Sequence, residues 1–110
     1  MFQRSPAVSP EASNQYKQIH RQLRTYGIKA QELYASLFFD LILKLSQGAL
    51  TNPRGILADN VRDLHTIYEF DENGLLGCYS CTPLNVVLLS AEPNPEFFRE
   101  VEVLRIIRAA

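Results

Sequence analysis

Tryptophan is absent from this 110-residue chain, and cysteine, histidine and methionine are scarce, at two, two and one. Each shortage excludes something. Two thiols cannot close a structural zinc site, which takes four ligands. A Cys2His2 set would consume every thiol and every imidazole in the sequence. Without tryptophan, the largest stacking side chain for nucleobases and interfaces is missing. Five glycines build no Walker A loop, no Gly-x-Gly-x-x-Gly turn and no Gly-x-Ser-x-Gly elbow. Neither an enzyme nor a bound cofactor is therefore expected.

Long apolar runs are also lacking. A membrane-spanning helix needs about 20 apolar residues. The richest stretch, "LFFDLILKL" at 37–45, is short and is cut by Asp40 and Lys44. The opening "MFQRSPAVSP" has no long apolar segment of the secretory type. With two cysteines and no visible export signal, the expected setting is reducing and cytoplasmic.

Net charge is nearly absent too, at −1, so the chain as a whole carries no footprint for a polyanion. The charges are nonetheless unevenly distributed. Residues 1–29 hold five cations against Glu11, a net of +4, and residues 59–102 hold nine acids against two arginines, a net of −7. Complementary halves of this kind favour association with other chains or with copies of the same chain.

What is present suits a folded domain. Hydrophobic residues make up 46%, with six Phe and five Tyr, enough for one core at this length. Residues 1–10, with Ser5-Pro6 and Ser9-Pro10, read as a flexible arm, and residues 11–110 as a single globular domain. Tyr16, Ile19, Leu23 and Tyr26 fall at helical spacing, which predicts a helix over 12–26. A second helix is predicted over 29–47, apolar around most of its circumference, with Asp40 and Lys44 paired on a narrow wet face.

Asn52-Pro53 has the chemistry of a helix start, and Ile56, Leu57, Val61, Leu64 and Tyr68 follow at helical spacing. A third helix is thus predicted over 53–66. "HTIYEF" and "LLGCYS" around "DENG" predict a β-hairpin. "NVVLL" within 82–91 suits a buried strand, although Thr82-Pro83 is also a legitimate helix start. Asn94-Pro95-Glu96 opens a last helix over 95–108. The fold class predicted is α+β: three N-terminal helices, a small antiparallel sheet and a C-terminal helix. The alternative is a mostly helical chain with one hairpin.

Three constellations could carry function. Leu33, Leu37, Phe38, Phe39, Leu41, Ile42 and Leu45 exceed what a small monomer's few helices can cover, so they predict a homodimer interface. Lys17, Arg21, Arg24 and Lys29 form a basic face open to an acidic partner or to phosphates. Cys78 and Cys81 have the spacing of half a metal site, with His65 and His20 as the only imidazoles to complete it. On a regular strand, an odd separation turns the two thiols to opposite faces, which disfavours chelation and redox chemistry alike.

"YGI" at 26–28 and "GALTNPRGILADNVRDL" at 48–64 resemble a helical segment near the end of some plasmid and phage replication-initiation proteins. The resemblance covers about a third of the chain and implies a nucleic-acid-associated role. From the residues themselves, the reading is a small non-catalytic regulatory or adaptor protein that binds another protein, homodimeric through 29–47. The alternatives are a nucleic-acid-associated regulator using 12–26, and a metal or redox protein using the two cysteines.

Overall fold

Ser9 and Pro10 begin a helix. The Ser9 hydroxyl accepts a hydrogen bond from the Ala12 N–H at 3.0 Å, Pro10 occupies the first turn, and Glu11 lies where the helix dipole favours an acid. The computed structural model describes residues 5–47, 55–60, 65–82 and 84–109. Within them, Ser5–Val8 is strand β1, so residues 5–10 are built into the fold, contrary to the flexible arm expected there. Helix α1 spans Pro10–Gln22 and tightens into a 3-10 turn at Leu23–Tyr26. Helix α2 spans Ile28–Ser46. The glycine stop expected at Gly48 lies outside the described residues.

The predicted third helix is not formed. Gly55–Asn60 is strand β2, and His65–Glu72 is strand β3, antiparallel to it. Asn52, Pro53 and residues 61–64 lie outside the described residues. Two features explain the misreading. A glycine two positions after the proline disfavours a helix by about 1 kcal/mol relative to alanine. The register also shifts between Ile56 and Ala58, so Leu57 is an extra residue that breaks the period-2 pattern. The helical segment that carries the replication-protein resemblance is therefore a strand at 55–60.

Strand β4 spans Leu75–Cys81 and β5 spans Asn85–Pro93, so 82–91 takes the strand alternative. Asn73 and Gly74 have φ of 54° and 85°, the two left-handed positions that a two-residue hairpin turn between β3 and β4 requires. Helix α3 spans Pro95–Ala109. The α+β class thus stands, with two N-terminal helices rather than three, then four strands and a C-terminal helix.

The sheet has the order β1-β5-β4-β3-β2, antiparallel except for β1, which runs parallel to β5. Both long helices and α3 pack on its β5 and β1 side. Phe70, Leu75, Tyr79, Val86, Leu88 and Ala91 face the helices and are buried with Leu23, Ala30, Tyr34, Phe38, Leu41, Leu45, Phe97 and Val101. The opposite face presents Ile67, Glu69, Leu76, Cys78, Ser80 and Val87, none of them fully buried.

β1 covers only residues 85–88 of β5. Beyond it, helix side chains satisfy the open edge. The Ala91 N–H donates to Gln15 Oε1 at 2.8 Å, and the Tyr34 hydroxyl donates to the Ala91 carbonyl at 2.9 Å. Burial, helped by the Tyr16 phenol and the Glu92 carboxylate, pushes the Tyr34 phenol well above its ordinary range. The folded chain then keeps this proton at pH values where the unfolded chain has lost it, so Tyr34 makes stability fall as pH rises past about 10. Tyr34→Phe is expected to cost about 1–2 kcal/mol at neutral pH through the lost hydrogen bond. Its deficit should then shrink as pH climbs above 10, read from urea unfolding curves. A deficit that is the same at neutral and alkaline pH would refute this account.

Candidate interaction surface

Asn94 is the residue from which the surface is assembled. It is buried and makes three links. Its Oδ1 accepts from the Phe97 N–H at 3.0 Å, capping α3. Its Nδ2 donates to Asp71 Oδ1 at 2.7 Å, and its backbone N–H donates to the Gly74 carbonyl at 3.0 Å. The β3–β4 turn is thereby tied to the start of α3. Gly74 packs so closely that a Cβ there would lie 3.1 Å from the Leu37 side chain of α2.

Three elements therefore meet around one groove of about 270 Å³. α2 supplies Leu37, Asp40, Leu41 and Lys44. The turn supplies Glu72, Asn73 and Leu75, and α3 supplies Glu96 and Glu100. Three leucines and four carboxylates line it, against one ammonium. Asp40 and Lys44 border the groove separately. Among the described residues no ion pair joins them, so the pairing expected from their spacing does not form. The i,i+3 pair Lys29–Glu32, at 3.6 Å and well exposed, is the ion pair seen on α2.

Of the seven residues expected to form a dimer interface, the fold uses six internally. Phe38, Leu41 and Leu45 are buried, and Leu33, Leu37 and Ile42 are half-buried against the same core. Only Phe39 points outward, 63% exposed, and it is joined one turn later by Leu43 at 55%. Ser36, small and exposed one turn earlier, continues the same narrow stripe. Leu43 and Ser36 were not assigned to the interface from the sequence; their angular position beside Phe39 on the helix was the available signal.

A second apolar patch forms where Tyr26, at the end of the 3-10 turn, meets Phe98 of α3, both half-exposed with ring centroids 5.5 Å apart. The basic face survives in part. Lys17, Arg21 and Arg24 are exposed at i, i+4 and i+7, and Lys29 is exposed on α2 beside Glu32.

The cysteines do not converge. β4 runs unbroken through both, so they face opposite sides of the sheet. Cys81 packs toward the core, and Cys78 turns to the other face, with its Sγ 3.3 Å from the Ser90 hydroxyl. The register shift next to Cys78 is taken up by β5, where Leu89 is the extra residue, so the alternation of β4 is preserved. His20 lies in the helix layer, its ring 5.8 Å from Tyr16. The His65 backbone begins β3, next to Thr66, which pairs with Cys81. Among the described residues, no three His, Cys, Asp or Glu side chains come together as a metal site would require. Nor, among them, is any helix long and apolar enough to cross a membrane.

Fold and surface define a small α+β domain whose five-stranded sheet is covered by helices on one face. The chain matches no known protein family, no curated protein and no solved structure.

Proposed function

We propose that this protein acts by binding another protein, without catalysis of its own, as a small regulatory or adaptor protein that self-associates through α2. The observation that carries the reading is the outward stripe of α2. Phe39 and Leu43 are large, adjacent and exposed, and the small Ser36 sits beside them. Single exposed apolar residues are ordinary, but a contiguous pair on a rigid helix is the chemistry of a contact surface. Two α2 helices crossing antiparallel about a two-fold axis would seat each Phe39 ring over the short Ser36 side chain of the second copy. The same arrangement brings Glu32 toward Lys44 of the other helix, so the interface is self-complementary.

Light scattering at high micromolar concentration is expected to give twice the 12.5 kDa chain mass. Phe39→Glu should weaken self-association by about tenfold or more, roughly 1.4 kcal/mol, with unchanged circular dichroism. A wild-type protein that remains monomeric rules the dimer out.

The aligned cations Lys17 and Arg21 of α1 and Arg24 of its 3-10 turn favour a second reading, a nucleic-acid-associated regulator. Three phosphate contacts would give weak binding with a salt slope near about −3 on a log–log plot. Absence of DNA and RNA binding at low salt eliminates this reading without touching the first.

A further inference from the structure

The groove between α2, the β3–β4 turn and α3 is separate from the Phe39 stripe, and its chemistry is more specific. Its volume, about 270 Å³, is roughly that of nine water molecules and lies below the usual range for small-molecule pockets. One long side chain fills such a space. The floor is aliphatic, from Leu37, Leu41 and Leu75, while Asp40, Glu72, Glu96 and Glu100 are acidic and outnumber Lys44 four to one. An aliphatic stem ending in a cation matches both parts. Methylenes lie on the leucines, and the head meets carboxylates in charge-assisted hydrogen bonds.

We infer that this groove docks a segment of a partner protein by taking up an arginine or lysine side chain of that segment. Arginine suits it better than lysine, because a planar fork can engage carboxylates from two elements at once. The walls are set before binding. Asn94 fixes the turn that carries Glu72 to the helix that carries Glu96 and Glu100, so little ordering remains for the partner to drive. Glu96 and Glu100 stand four positions apart on one helix, a like-charge spacing that disfavours the helix when alone and is relieved by a bound cation.

The inference rests on the protein-binding reading but not on the α2 dimer, so peptide binding and self-association fail separately. The test uses a short fluorescent peptide alternating arginine and leucine, with its glutamate-for-arginine counterpart, followed by anisotropy. Saturable binding of the arginine peptide is expected, with none for the glutamate peptide. The pair Glu96→Gln and Glu100→Gln should weaken it about tenfold. A charge-matched pair outside the groove lining, Glu11→Gln and Glu92→Gln, should leave it within about twofold, and thermal unfolding of each variant confirms that it folds. No binding of the arginine peptide overturns the inference, as does an equal loss in the control pair. It is also overturned if the groove variants abolish self-association and Lys17→Glu with Arg21→Glu does the same, because the occupant is then the basic face of a second copy.

Discussion

Gly77→Ala is expected to destabilise the protein by about 3 kcal/mol or more, a large fraction of the stability of a chain of this size. The cause is the irregular pairing of β4 with β5. Because β5 carries an extra residue at Leu89, Ser90 falls opposite Cys78, and the Ser90 carbonyl passes directly over Gly77. A Cβ at Gly77 would overlap that carbonyl oxygen and also press on Ala91 Cα at 3.1 Å. The obstruction is backbone, which cannot rotate away as a side chain can. Relief requires separating β4 from β5, the two strands on which the core is built. Urea unfolding measures the effect. A loss below about 1 kcal/mol would show that the two strands can slide apart cheaply and that the close approach is not a constraint.

Asn94→Ala is expected to cost about 2–3 kcal/mol. Removal of an N-cap accounts for about 1–2 of this, and loss of the partly buried link to the Asp71 carboxylate adds about 1 more. The position is almost fully buried, so water does not replace the missing acceptor for the Phe97 N–H. Two further variants separate the terms. Asn94→Ser keeps the cap and loses the link to Asp71, so it should recover more than half of the loss. Asn94→Asp keeps the cap but sets a carboxylate against Asp71, so its stability should improve as pH falls through the carboxylate range. If Ser and Ala behave alike, the cap is not what Asn94 contributes. Asn94→Ala should also weaken the arginine peptide, because the turn bearing Glu72 is no longer held to α3.

Several elements were legible because they obey local rules. The two long N-terminal helices, the hairpin about Asn73-Gly74, the strand at 85–93 and the last helix all follow from capping, periodicity or turn chemistry. The failures share one origin, which is that three X-Pro pairs look alike to a sequence reader. Ser9-Pro10 and Asn94-Pro95 are helix starts, each followed by glutamate. Asn52-Pro53 is followed by arginine and glycine, and a strand comes next. Reading 53–66 as helix removed β2 from the sheet, and reading 1–10 as an arm removed β1. With only a hairpin and one further strand to cover it, α2 seemed to have more apolar surface than the monomer could bury. In the folded chain α2 packs against β1, β5, α1 with its 3-10 turn, and α3, and six of the seven residues assigned to a dimer are buried or half-buried, leaving Phe39. The groove was illegible for a different reason: its acids come from α2, a turn and α3, residues 40 to 100, and no spacing rule joins them.

The parallel pairing of β1 with β5 sets the order in which the chain can be completed. Ser5 lies beside Asn85, and Val8 beside Leu88, partners eighty positions apart. During synthesis, α1 and α2 emerge with the strand that should carry them still unmade, so the Tyr16, Tyr34 and Phe38 rings have no sheet to cover. Helical turns form in about a microsecond, but the first strand must wait until residues 85–88 have been added. Contacts this distant slow folding because the loop must close before they contribute. Until β5 has been made, the aromatic faces of α1 and α2 stay uncovered, which is the interval in which the growing chain is most prone to aggregate.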